Sequence, residues 1–191
     1  MPDTPNNAVN YPLLARPHIQ LYGPVNEAMY AAFKDQLAAA PPDGPLVLSI
    51  TTLGGDPEMA RAMGDSIRLL RNYTGRAALF LGKVAVYSAG ATLMSAFPVK
   101  HRFLTRGTRL MLHERQMDST LDLSGPLTGL SVLLKAKLHE VEHSIRIQEE
   151  GFRAIVAESR VSFDTLCEKA RSNWYIDADE ARDLGLVLDV I

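Results

Sequence analysis

Leu46-Val47-Leu48-Ser49-Ile50 is an apolar run broken only by a serine. It shows no sustained alternation of apolar and polar side chains. A strand of this kind is buried on both faces. The usual way to cover both faces is to let helices cross from one parallel strand to the next. The flanking sequence supplies such helices. Before the run, Ile19-Gln20-Leu21-Tyr22 reads as a strand closed by Gly23-Pro24, and Asn26 can cap a helix reaching about Ala40. Pro41-Pro42-Asp43-Gly44 then turns the chain. After the run, Asp56 caps and Pro57 opens a helix to about Asn72, which Gly75 ends. Ala77 to Leu81 is the next apolar strand, closed by Gly82. Ala91 to Ala96 suits a short helix that Pro98 stops. Lys100 to Leu104 and Arg109 to His113 read as strands on either side of Arg106-Gly107. Alternation of this sort specifies an α/β domain with mainly parallel pairing.

The pattern changes after that. Residues 126 to 157 are helical in composition and contain no internal proline. Leu127, Leu130, Leu134, Leu138, Val141, Ile145, Phe152 and Ile155 recur at helical spacing and form one long apolar stripe. Such a helix is about 45 Å long at 1.5 Å per residue. It either projects and packs on a partner or covers the core with a break near Gly151. Ser162 can cap a helix to about Arg171, and Trp174-Tyr175-Ile176 reads as a short strand or a buried turn. Asp177-Ala178-Asp179-Glu180 resembles a capping box. Gly185 ends that helix, and Leu186 to Ile191 reads as a closing strand. Residues 1 to 17 are rich in Pro and Asn and are expected to be a flexible segment ahead of one domain over 18–191.

Composition narrows the function classes. Twenty basic side chains face 22 acidic ones, so no basic field points to nucleic acid. No apolar run approaches the roughly 18 residues needed to span a bilayer. Cys167 is the only cysteine, which excludes an intrachain disulfide framework and fits a reducing compartment. The expectation is a cytoplasmic globular protein.

Three features can carry chemistry. Gly54-Gly55 follows a buried strand, where the backbone can approach another group closely and expose N–H donors. Ser88 stands where a strand hands over to a helix, in Val86-Tyr87-Ser88-Ala89-Gly90-Ala91. It is either a helix cap or a nucleophile beside amides that stabilise an oxyanion. His113 ends a strand next to Glu114, where a histidine is either a packing residue or a base. All three fall near carboxyl ends of strands, where α/β sheets place sites.

Gly54-Gly55, then Ser88-Ala89-Gly90-Ala91, then Met111-Leu112-His113 resembles the proteolytic subunit of Clp protease. The histidine lies 25 positions after the serine, as in that family. The closing segment Tyr175-Ile176-Asp177-Ala178-Asp179-Glu180-Ala181 with Gly185-Leu186-Val187 is similar too. The likeness covers about residues 19 to 191. It implies a crotonase-like spiral of strand–strand–helix units with a protruding handle helix, here about residues 122–160. It also implies a serine endopeptidase acting on peptides or unfolded proteins, without a cofactor. Its subunits form stacked homo-oligomeric rings, usually of seven. By position Ser88 is the nucleophile and His113 the base. Amides of Gly55 or Gly54 and of Ala89 form the oxyanion hole.

Three departures from the family stand out. The acidic triad position falls on Lys169, whose charge has the wrong sign to orient an imidazolium. Glu168, Asn173 or a backbone carbonyl is the expected substitute. If none serves, the centre is misaligned until a partner or a ring rearrangement corrects it. The stretch from His113 to Lys169 is longer than the family's and lacks its glycine-rich, substrate-lining strand, and Asp118 to Ser124 reads as a polar loop instead. The segment before the first strand is short for the hairpin that docks an AAA+ unfoldase, so that partner has the least support.

Two other readings compete. His139-Glu140-Val141-Glu142-His143 fits the H-E-x-x-H zinc-peptidase motif, with Glu158 or Glu168 as third ligand. Against it, Glu142 adds a charge to a helix that would have to be buried, and Arg146 stands where the extended motif needs glycine. The expectation is that these histidines bind no catalytic metal. The other reading is a catalytically inactive scaffold or partner subunit, which Lys169 supports.

Overall fold

The sheet is built outward from the apolar strand at its centre. In the computed structural model, which describes residues 11–191, that strand is β2 (Leu46–Thr52), and all its residues but one are fully buried. On one side it pairs in parallel with β1 (Ile19–Tyr22), and on the other with β3 (Ala78–Tyr87). Helix α1 (Glu27–Ala39) crosses from β1 to β2, and α2 (Pro57–Thr74) from β2 to β3. Both begin on the caps expected: the Asn26 side chain accepts from Met29 N–H, and that of Asp56 from the N–H groups of Glu58 and Met59. Gly75 closes α2 in the left-handed conformation.

Strand β3 does not stop at Gly82, as its sequence implied, but runs on to Tyr87. It bends on the way. Val84 has a positive φ of 61°, and the register with β2 slips between Ile50 and Thr52. The two halves therefore meet different neighbours. Phe80 to Gly82 pair in parallel with β4 (Arg102–Leu104), and Ala85 to Tyr87 in parallel with β5 (Arg109–Leu112). Residues 99–101 are a 3-10 turn rather than strand. The chain ends in helix α6 (Ala178–Asp183) and two short strands. Strand β6 (Trp174–Asp177) is antiparallel to β5, and β7 (Asp189–Val190) is parallel to β4. Strand β7 is shorter than the expected 186–191. The capping box does not form, because the Asp177 carboxylate accepts from Arg109 across the β5–β6 pair at 2.8 Å.

The main core lies between the sheet and its helices, around Leu48, Phe80, Phe33, Met63 and Leu93. A smaller cluster of Leu14, Val47, Leu81 and Phe103 covers the other face. Leu14 belongs to a 3-10 turn over Pro12–Ala15. So from residue 11 onward the leading segment packs on the sheet instead of being loose. The expectation for residues 1–10 lies outside the described residues.

The long stripe forms a continuous helix, α4 (Leu127–Val156), without a break at Gly151. Only Phe152 and Ile155 in its last turns are buried. Leu127, Leu134, Leu138 and Ile145 face solvent. This is the α/β architecture with a protruding helix that the resemblance implies. Its anchor is Arg102, 2% exposed, whose guanidinium donates to Phe97 O at 2.8 Å, Ile155 O at 3.0 Å and Leu186 O at 3.2 Å. One side chain thus ties the segment after α3 (Ala89–Met94), the base of α4 and the C-terminal segment together. Burial lowers its pKa to about 10, so it stays charged at neutral pH.

Candidate active site

Parallel pairing of β3 with β5 closes the gap between Ser88 and His113. The ladder places Tyr87 opposite Met111. Ser88 follows directly and donates its N–H to Met111 O at 2.8 Å. Ser88 is at the cap position of α3 with φ 52° and ψ −112°. That is a strained conformation for a residue with a side chain, of the kind that costs about 1–3 kcal/mol and concentrates at functional sites. Backbone bonds hold it there, since Ser88 O accepts from Ala91 N at 2.9 Å and Thr92 N at 3.2 Å. The hydroxyl does not cap the helix. It points to His113, with Oγ 2.8 Å from Nε2. A hydroxyl so placed can pass its proton to the imidazole as the oxygen attacks an electrophile.

The glycine pair lies alongside. Gly54 has φ 113°, and a Cβ built on it would lie 2.9 Å from Ser88 Cβ. Gly55 has φ 138°, and its Cβ would fall on the backbone of Val25. Either glycine is therefore required by both conformation and space. Their amides differ. Gly54 N–H is already committed to Thr52 Oγ1 at 3.0 Å. Among the described residues, no acceptor takes the N–H of Gly55 or of Ala89. Both of those residues line the cleft that opens over Ser88, and Gly54 does not. Of the two glycines named from sequence, Gly55 is thus the one with a donor to offer.

The cleft has a volume of about 570 Å³ and runs between α2 and the last turns of α4. Leu53, Pro57, Phe152 and Ile155 give it apolar wall, and Arg61, Asp65 and Arg68 give it a charged one. Arg68 pairs with Asp65 at 2.7 Å, and Arg61 with Glu58 at 3.1 Å, so these charges are largely balanced.

No described residue hydrogen-bonds to His113 Nδ1. Lys169, on α5 (Phe163–Ala170), places its ammonium 4.4 Å from the centre of the Trp174 ring, a cation–π contact. Glu168 is exposed on the same helix. Asn173 adopts a left-handed turn conformation with φ 58°. Neither of these two makes a hydrogen bond to His113. His139 and His143 are exposed near the middle of α4. The described residues contain no group of three or more His, Cys, Asp or Glu able to hold a metal.

The structure thus combines an α/β sheet, a long outlying helix, and a hydroxyl–imidazole pair at the floor of a cleft. Comparison with known proteins gives the family. The Clp protease family model matches residues 5–191, and the chain belongs to that family. It is similar to ATP-dependent Clp protease proteolytic subunit 3 of Rhizobium johnstonii, with 26% identity over 175 residues, 91% of this chain and 82% of the relative. Subunit 2 of Treponema pallidum is 26% identical over 149 residues, covering 77% and 66% of the two chains. Subunit 3 of Rhodococcus jostii is 27% identical over 176 residues, covering 91% and 80%. At such identities the chain is a divergent member.

Proposed function

We propose that this chain is a serine endopeptidase that cleaves peptides or unfolded proteins as a subunit of a ring-shaped homo-oligomer. The observation that carries the reading is the 2.8 Å contact between Ser88 Oγ and His113 Nε2. It lies beside two uncommitted amides in a cleft of peptide dimensions. In the proposed reaction His113 takes the Ser88 proton while Oγ adds to the scissile carbonyl carbon. The N–H groups of Gly55 and Ala89 stabilise the oxyanion. His113 then protonates the departing amine, and water releases the acyl group by the same steps in reverse. Among the described residues no carboxylate steadies the imidazolium, so turnover is expected to be slow; in a full triad the loss of that partner costs about 10⁴ in rate.

The subunit part of the reading rests on α4, whose outer turns expose Leu134, Leu138 and Ile145 as an unpartnered apolar stripe. The relatives are named ATP-dependent and as subunits. For this chain the proposal is the peptidase subunit, with an AAA+ partner left out of it. No described helix is long and apolar enough to cross a membrane, and a cytoplasmic location is proposed.

The unpartnered His113 Nδ1 favours one other reading, an inactive subunit that assembles with an active one. A fluorophosphonate probe separates the two. The peptidase reading expects a covalent adduct mapped by mass spectrometry to Ser88 and lost in His113→Ala. An intact oligomer with no adduct at Ser88 would favour the inactive subunit.

A further inference from the structure

The segment that follows His113 is gripped from two sides by contacts the proposed chemistry does not use. The backbone N–H of Arg115 donates to Gln148 Oε1 on α4 at 2.6 Å. Its guanidinium donates to Glu58 Oε1 on α2 at 2.8 Å. The other oxygen of Glu58 accepts from Arg61 at 3.1 Å. Arg115 is thus pinned between two helices that the core holds in place. Glu58 stands in the first turn of α2, where its own N–H is capped by Asp56 at 2.7 Å. Gln148 precedes the buried Phe152 by one turn.

His113 needs such support. Strand β5 ends at Leu112, so the ladder does not fix the histidine's own backbone. Its Nδ1 has no partner among the described residues. In a complete triad the third member holds the imidazole in place as well as stabilising its charge. Among the described residues, no side chain holds the ring through Nδ1. An anchor two residues along the chain can do it through the backbone, because two residues reach at most about 7 Å.

We propose that Gln148 and Glu58 are positioning residues. By fixing Arg115 they hold His113 against Ser88, supplying the orientation that a carboxylate at position 169 would otherwise give. The inference rests on the peptidase reading above. It assigns Gln148 the larger part, because its bond is to the backbone and directly limits how far the segment can swing. Glu58 acts through a longer side chain and shares its carboxylate with Arg61.

The test is the rate constant for fluorophosphonate labelling of Ser88 in the assembled full chain, recorded together with the fraction that labels. Gln148→Met is close to the side chain in volume but replaces the amide oxygen with a thioether, a much weaker acceptor for an N–H. It should lower the rate constant roughly 10- to 100-fold, the usual effect of displacing a reacting group by about 1 Å, and every molecule should still label in the end. Gln148→Glu keeps an acceptor oxygen and should restore the rate. Glu58→Ala should lower the rate constant by less than Gln148→Met. A merely structural role would reduce the fraction labelled and leave the rate constant unchanged, and that result would overturn the inference. So would Gln148→Met labelling at the rate of the unsubstituted chain. If the unsubstituted chain does not label at all, the peptidase reading falls and takes this inference with it.

Discussion

Arg102→Met should destabilise the fold by about 3 kcal/mol, and the size of that effect follows from the contacts of the side chain. Arg102 makes three good hydrogen bonds to main-chain carbonyls, at 2.8, 3.0 and 3.2 Å. It adds two long ones to Ser95 O and Ala154 O. Bonds from a charged donor are worth about 1.5–3 kcal/mol each, so the gross loss is about 4.5 kcal/mol or more. Removing the charge also removes a desolvation cost. Burial holds the pKa at about 10 against an ordinary 12.5, which corresponds to roughly 3 kcal/mol recovered. The recovery is incomplete in practice, because three buried carbonyls lose their donor at about 1–3 kcal/mol each.

A net loss of about 3 kcal/mol is a large part of a stability that is typically about 5–15 kcal/mol. Urea unfolding at one fixed protein concentration reads it directly. With a slope of about 2 kcal/mol/M, the midpoint should fall by about 1.5 M. Arg102→Lys should fall in between, since an ammonium cannot span carbonyls that a planar fork reaches together. Amide exchange should quicken at Phe152 and Ile155 first, where the base of α4 is tied down. A midpoint drop below about 0.5 M with an unchanged slope would refute the claim that this one side chain clamps three segments.

Leu138→Asp places a charge in the exposed stripe of α4 and should convert the proposed oligomer to a 21.0 kDa species with unchanged far-UV circular dichroism; sedimentation velocity showing the same assembly for the variant and the unsubstituted chain would contradict this. His101 gives a pH prediction. Burial, then Lys100 and Arg71, hold its pKa below the ordinary 6.5, so the folded state favours the neutral ring. That contribution to stability is complete above about pH 6.5 and is lost as the pH falls below it toward the folded-state pKa. The melting temperature should drop between pH 7 and pH 5, and His101→Gln should flatten the drop. An identical slope in the variant would count against it.

What the sequence revealed and what it hid have different physical origins. Ser88 and His113 were legible because each stands at the end of an apolar strand, and their types are those that proton transfer needs. Both caps of the first two long helices were legible because capping is local. Arg102 was not, since it sits in a short strand-like stretch and its acceptors are carbonyls of three remote segments. Nothing about its neighbours marks it as buried. The course of β3 was misread at Gly82 for a related reason. Glycine there looks like a terminator, yet a Cβ would meet Leu104 Cδ2 and Val86 Cγ2 at 2.6 Å each. It is a packing requirement within a continuing strand. The capping box at Asp177 lost to a cross-strand partner, Arg109, that only the β5–β6 register brings near. Arg115, Glu58 and Gln148 were equally hidden, because their contact joins three elements far apart in sequence.

The most direct measurement of the central claim is peptide-bond hydrolysis itself. The purified protein is incubated with an unstructured, internally quenched peptide, and Ser88→Ala defines the background. The account predicts slow but continuing release of fluorescence with new peptide ends seen by mass spectrometry, abolished in both Ser88→Ala and His113→Ala. Hydrolysis that persists in Ser88→Ala, or no hydrolysis above that background from an intact oligomer, would contradict it.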